Sequence, residues 1–433
     1  METKDLRVVI ALSTHGSRAP KHAVATLCPN NQPNLNAYAV PFEQLTSLGM
    51  QQMVHAGAHT RDVYVNTKQF LSPTLKQKDH FDSYFRAEPS LGQNSITFGY
   101  GLYPDTTPGL DFPVPVPVVM QLVSNEHDIA VTNGPCQETL ARDMTTFAAT
   151  RGKYLLHKHK AVLDSLADAC GAPLETNHDV GVVADMLTSD HAQGLPPLVP
   201  ADLAAQVQTL AFDQMLEAYL GSERQVTYYV GGFPDLMRAQ LDQALNQTSG
   251  YKLYAYTGRR ELLHGMAFML GWDFAFQDQP HSTLFNTSAL PAGATMFIEL
   301  HSGPNGEHPV VETHVWSPET NRSQVKLSKC SAVSCPLAEF NAIVGRHINR
   351  TQTWQDLCHF HPVNDAKGLH MTGGVSSIAS GESAYSLLLC AVFVGLTLFA
   401  MHSAFARIKE QNKRREYSAI PDGDDRPTSK RSL

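Results

Sequence analysis

The chain has 433 residues, 42% of them apolar and 17% charged, which is enough to bury a full-sized core and more than one lobe. Its 33 basic and 41 acidic side chains give a net charge of −8. Arg407 to Leu433 carries eight basic and five acidic residues, so the rest of the chain stands at −11. An acidic body without a basic stripe argues against nucleic acid as a partner.

Val8 to Ser13 is an apolar run that ends abruptly in Thr14-His15-Gly16-Ser17-Arg18, a pattern that predicts a buried strand delivering a histidine and an arginine to a turn. Gln44 to Tyr64 has apolar residues at helical spacing and is expected to pack against that strand. From Asp143 to about Gly250 the pattern is mainly helical, with helices predicted over Met144–Ala169, Pro200–Leu220 and Pro234–Leu245, an arrangement suited to a helical lobe inserted between strands. A strand is predicted over Tyr251–Tyr256 and a helix over Glu261–Leu270. Ala294–His301 and Pro309–Trp316 read as a hairpin across the turn-rich Ser302-Gly-Pro-Asn-Gly306. Strands alternating with helices predict an α/β layer. No internal repeat is present.

His359 to Ser383 is rich in Gly and Ser and suits a flexible stalk. Ala384 to Ala406 holds no charged residue and is long enough, at ~1.5 Å per residue, to cross a hydrocarbon layer of roughly 30 Å as one helix. Arg407, Lys409, Lys413, Arg414 and Arg415 follow at once, so residues 407–433 are expected in the cytosol and the body in the lumen or outside the cell. Four Asn-x-Ser/Thr sequons, at Asn246, Asn286, Asn321 and Asn349, precede the apolar stretch and fit a lumenal glycoprotein. Met1 to Arg7 leads straight into the first strand with no apolar leader, and the expectation is an N-terminus lacking its signal peptide. Tyr417-Ser-Ala-Ile420 fits the tyrosine-x-x-apolar pattern read by clathrin-adaptor-type sorting proteins, which places the protein in endosomes and lysosomes or at the cell surface. Of seven cysteines, Cys390 lies in the apolar stretch and six remain for the body, an even count compatible with disulfides.

Several separated segments, in order from Leu6 to Cys358, resemble the histidine acid phosphatases of the lysosomal and membrane-bound type. Thr14-His15-Gly16-Ser17-Arg18-Ala19-Pro20 resembles the nucleophile motif Arg-His-Gly-x-Arg-x-Pro. Gln44-Leu-Thr46 with Gly49 and Gln52 matches the helix that follows it. Phe85-Arg-Ala87 and Gly101-Leu-Tyr-Pro104 bracket the segment that carries a further arginine, and Cys330 to Phe340 resembles the paired-cysteine segment near the C-terminus. The resemblance implies a phosphoglycerate-mutase-like central sheet flanked by helices over residues 6–358, with a helical cap at roughly 137–248. It also implies pairing of Cys330 with Cys335 and of Cys136 with Cys358, while Cys28 and Cys170 either pair with each other or stay free. No cofactor and no metal is implied, and a homodimer is left open.

In such a site a neutral histidine attacks phosphorus, arginines hold the non-bridging oxygens, and a carboxylic acid beside a second histidine protonates the leaving alkoxide. Carried over by residue, the nucleophile is His15 and the following arginine is Arg18, both present. Thr14 replaces the arginine before the nucleophile, and the later arginine, six residues past Arg86, falls on Gly92. The strand that ends in the His-Asp pair aligns with Lys252 to Leu270, where the pair becomes Arg259-Arg260. Arginine stays protonated at any accessible pH and cannot serve as the acid. His301-Ser302 offers no displaced acid, and Asp273 lies too far along to replace it.

The expectation is therefore a type I membrane glycoprotein, a pseudophosphatase with phosphatase activity impaired or absent. His15, Arg18, Arg259 and Arg260 are its candidate contacts to a phosphorylated or otherwise anionic ligand. The competing expectations are an active acid phosphatase with a relocated proton donor, and a receptor or structural glycoprotein with a vestigial cleft.

Overall fold

The computed structural model describes residues 5–75, 81–104, 115–273, 290–303, 307–348 and 352–360. The chain divides into Met1–Pro362 and Val363–Leu433, and the second unit lies outside the described residues. Among the described residues no helix is long and apolar enough to cross a membrane; the stretch 384–406 and the Tyr417–Ile420 pattern lie outside them.

A nine-stranded mixed sheet organises the first unit. Its strands are β1 (Asp5–Ser13), β2 (Ser83–Ala87), β3 (Val118–Val119), β4 (Leu253–Thr257), β5 (Trp272–Asp273), β6 (Thr295–Ser302), β7 (Val310–Ser317), β8 (Thr320–Leu327) and β9 (Cys335–Pro336). The order is β3-β2-β4-β1-β6-β7-β8-β5, with β9 on the free end of β7. β3, β2, β4 and β1 run parallel, and β6 turns antiparallel to β1. The sequence-predicted hairpin is β6 and β7, paired from Thr295–Trp316 to His301–Val310. β8 extends it, although the alternating polar run Thr320–Leu327 signals a strand only weakly.

Val8 to Ser13 is buried throughout because β1 lies mid-sheet with both faces covered. Val8, Ile10 and Leu12 face one apolar core, and Val9 and Ala11 face another. Helices α1 (Ser47–Arg61) and α2 (Gly92–Leu102) cover the second face. α1 starts at Thr46, whose hydroxyl accepts from the Gly49 N–H at 3.1 Å, a side-chain N-cap.

Between β3 and β4 the chain is helical: α3 (Gln137–Phe147), α4 (Lys160–Cys170), α5 (Asn177–Ala192), α6 (Ala201–Leu220), α7 (Glu223–Val230) and α8 (Phe233–Leu245). The periodicity predicts one helix over Met144–Ala169, but the backbone breaks at His159 (φ −103°, ψ 20°) before α4 begins. After β4 come α9 (Arg260–Leu270), α10 (Leu337–Ile348) and α11 (Trp354–Cys358).

Three disulfides join Cys136 to Cys358, Cys330 to Cys335 and Cys28 to Cys170. The first two are the pairs that the resemblance implies. The third fixes the segment after the His15 turn to α4, and Val24 and Leu35 share an apolar cluster with Leu166 and Val182. Of the sequon asparagines, Asn246 and Asn321 are exposed, while Asn286 and Asn349 lie outside the described residues.

Candidate functional site

The three parallel strands β2, β4 and β1 end level with one another, for Ala87 is opposite Thr257 and Thr257 is opposite Ser13. The chain leaves that edge as Glu88, Gly258-Arg259 and Thr14-His15. Carboxyl edges of parallel strands are the usual location of sites in α/β sheets, since loops and helix N-termini converge there.

The turn after β1 is held by hydrogen bonds from two helices. The Gly16 N–H donates to Asn94 Oδ1 of α2 at 2.9 Å, and the Ser17 N–H donates to Gln52 Oε1 of α1 at 2.8 Å. The Thr46 hydroxyl donates to the Ser17 carbonyl at 3.0 Å. Gly16 is required by close backbone approach: a Cβ there would sit 2.2 Å from the Gly49 carbonyl oxygen.

His15 is partly buried, and its Nδ1 lies 2.9 Å from the Gly16 carbonyl oxygen. A carbonyl only accepts, so Nδ1 carries the proton and, in the neutral ring, Nε2 keeps the lone pair. Burial and the charges of Arg18 and Arg260 together push the ring's pKa down to about 3, against the opposing influence of the Gly16 hydrogen bond and Glu261. Among the described residues no carboxylate is within ion-pair distance of the partly buried Arg18 guanidinium; burial and the Arg259 charge depress its pKa.

Arg259 and Arg260 start α9, where positive charge opposes the helix dipole. Each is paired. Arg259 donates through Nε to both oxygens of buried Glu88 at 3.0 and 3.1 Å. Arg260 reaches Asp185 of α5 at 2.7 Å and the neighbouring Glu261 at 3.4 Å. Burial would raise the Glu261 pKa, but Arg260, the backbone N–H and Arg259 outweigh it and hold the carboxyl at about 2. Arg18, Arg259 and Arg260 therefore stand against Glu88, Asp185 and Glu261, three charges of each sign beside a neutral imidazole.

The positions where the resemblance implies more arginines are occupied differently. Thr14 is 1% exposed, its hydroxyl directed to the Pro291 carbonyl at 3.4 Å. At Gly92, the first residue of α2, a Cβ would lie 2.7 Å from Met120 Sδ. Arg86 points elsewhere, buried in ion pairs with Glu126 and Asp128, each at 2.7 Å. His301 sits at the far end of β6 from Thr295, which is the residue opposite Ser13. Asp273 is on the distal edge strand, paired with Lys326.

Sequence reasoning thus anticipates His15, Arg18, Arg259 and Arg260, and the structure gathers them at one edge. It misses Glu88, Asp185 and Glu261. Glu88 directly follows β2, and Glu261 lies in the first turn of α9, four residues after β4 ends. Asp185 comes from a helix about 75 residues before its partner and has no signal in the sequence.

Among the described residues two groups carry metal-type donors. Cys330 and Cys335 with Glu339 is one, but its sulfurs are joined in a disulfide. Glu299, Glu312 and His314 is the other. There Glu299 already accepts from Tyr64, Lys68, Arg322 and His301, which fills its four lone-pair sites. A cavity lined by Thr227, Val230, Pro234, His347 and Trp354 includes none of the site residues.

Against known proteins, no family model matches the chain. Lysosomal acid phosphatase of Xenopus laevis is 22% identical over 366 residues, covering 82% of this chain and 79% of that protein. The chain is thus similar in sequence to a histidine acid phosphatase. Solved phytases share the fold. The Hafnia alvei phytase in complex with tartrate has a TM-score of 0.58 at 17% identity, over 79% of this chain and 97% of its own. The D. castellii phytase has 0.55 at 17% identity, over 88% of each chain.

Proposed function

We propose that this histidine acid phosphatase homologue binds phosphate monoesters or related anions at the His15 edge and hydrolyses alkyl phosphomonoesters poorly. One observation carries the reading: the position aligned with the family's acid is Arg260, and the adjacent carboxylate, Glu261, is held ionised by it. His15 supplies a neutral nucleophile, and Arg18 supplies a guanidinium without a carboxylate partner among the described residues. Missing acid catalysis alone costs ~10²–10⁴-fold. The test is turnover of a generic alkyl phosphomonoester by the purified protein, alongside calorimetric titration with inorganic phosphate. Phosphate binding that Arg18→Ala abolishes, with turnover far below ~1 s⁻¹, is the expected result. Ordinary enzymic turnover lost in His15→Ala overturns it.

The same reading places the body in the lumen, anchored by residues 384–406 as a single-pass type I membrane glycoprotein. All six body cysteines are paired, which suits an oxidising compartment. Tyr417 and Ile420 would then address it to endosomes or lysosomes. Glycosidase treatment of cell-expressed protein checks the topology: a mass shift lost in Asn246→Gln supports a lumenal body, and an unglycosylated chain with a protease-accessible body overturns it.

A further inference from the structure

Among the described residues the site presents a neutral histidine and, where the resemblance implies the acid, an arginine, and that asymmetry selects among phosphoryl donors. Phosphoryl transfer to His15 needs a lone pair on Nε2 and cations for the phosphoryl oxygens. It needs an acid only when the departing oxygen is too basic to leave unprotonated. An alkoxide is of that kind, its conjugate acid having a pKa near that of water, ~16. A carboxylate, with a conjugate acid near ~4, leaves as a stable anion.

We propose that His15 accepts phosphoryl groups from acyl phosphates and activated aryl phosphates, and not from alkyl phosphates, forming a phosphohistidine that turns over slowly. This rests on the reading above that the His15 edge is a phosphate site. In the first step the Nε2 lone pair forms the N–P bond. The P–O bond to the acyl or aryl oxygen breaks, and its electron pair leaves on that oxygen; no proton moves. The Gly16 carbonyl, accepting from Nδ1–H at 2.9 Å, stabilises the positive charge that develops on the ring. In the second step water attacks phosphorus and gives its proton to solvent. The N–P bond breaks, its pair returns to Nε2, and inorganic phosphate departs.

Glu261 is the carboxylate whose charge acts on His15 among the described residues, and Arg260, whose Nε lies 3.4 Å from it, holds it together with Arg259 as a very weak base. General-base help in the second step is correspondingly small. Phosphohistidine formation therefore outruns its hydrolysis, and the chain fills to one phosphoryl group per molecule.

The experiment mixes the full-length protein with acetyl phosphate, 4-nitrophenyl phosphate or glycerol 2-phosphate, each labelled on phosphorus. It follows released product on a stopped-flow to seconds timescale and quenches in alkali to preserve phosphohistidine. The expected result is a burst of about one equivalent with the first two donors, absent in His15→Gln, and labelling by glycerol 2-phosphate at least ~10²-fold slower. If phosphate binds through Arg18 but no donor labels His15, the inference falls and the binding reading stands. If no phosphate binds at all, the underlying reading falls. If glycerol 2-phosphate labels His15 within tenfold of acetyl phosphate, the selectivity argued here is overturned.

Discussion

Arg259 and Glu88 meet across the carboxyl ends of neighbouring parallel strands, the guanidinium Nε lying 3.0 and 3.1 Å from the two carboxylate oxygens. The pair turns an arginine that borders the His15 turn into a side chain already engaged. An anion arriving at this edge competes with Glu88 for it.

Glu88→Gln keeps an oxygen for the Asn133 amide, which donates to Glu88 at 2.9 Å, and removes the competing charge. Arg259 is half-exposed although Glu88 is buried, so solvent screens the pair and the gain is modest: phosphate affinity is expected to rise about two- to five-fold. Calorimetry checks it, and the rise should vanish when Arg259→Ala is added. Unchanged affinity in the single variant means that Arg259 does not face the ligand.

Restoring the family's pair is the converse experiment. Arg259→His with Arg260→Asp supplies an acid but leaves Asp185 and Glu261 without their cation, so Asp185→Asn belongs in the same variant. Turnover of alkyl phosphates is expected to increase by about tenfold or more, short of the ~10²–10⁴-fold that acid catalysis provides in a fully formed site. An initial-rate comparison at pH 5 decides it; no increase in a folded variant places the deficit elsewhere.

His264 is fully buried on α9, and burial lowers its pKa to about 4. The unfolded chain takes up a proton near pH 6.5, which the folded state refuses until about pH 4. Stability is thus fully present above pH 6.5 and declines as the pH falls toward 4, by about 3 kcal/mol from this group. The depressed pKa of His15 acts in the same direction. Urea denaturation at pH 7 and pH 4.5 should show a smaller acid loss in His264→Gln, whatever that variant's absolute stability. An equal loss removes His264 from the account.

Gly16→Ala tests the packing of the turn. Its Cβ would meet backbone atoms of Gly49 at 2.2–2.8 Å, and backbone yields less readily than a flexible side chain. A cost of about 2–4 kcal/mol is expected, at the upper end of overpacking effects. Thermal unfolding measures it; a cost under ~0.5 kcal/mol would mean that the two helical anchors do not fix the turn.

The sequence carries a good deal of this. The run Val8–Ser13 reveals a mid-sheet strand because both faces are apolar, and the spacing in Ser47–Arg61 reveals the helix packed on it. The disulfide pairs follow from resemblance, except Cys28–Cys170, whose closure depends on a helical lobe more than a hundred residues away. The arginines are legible as residues, but their state is not. Whether Arg260 is a free anion-binding group or a neutralised one depends on Asp185, which only the packing of α5 against the site brings to 2.7 Å. β8 shows the same limit in the fold: Thr320–Leu327 is polar on one face, and pairing with β7 makes it a strand.

Met120 against Gly92 has a consequence for how such a site changes over time. An arginine introduced at position 92 places its Cβ 2.7 Å from the thioether sulfur, so the exposed Met120 side chain swings aside to admit it. Trimming Met120 alone brings no cation and only opens surface, since that side chain is already 51% exposed. Moving Met120 costs little, whereas replacing Arg260 leaves Asp185 without its partner at 2.7 Å. Position 92 therefore admits a cation more readily than position 260 admits an acid.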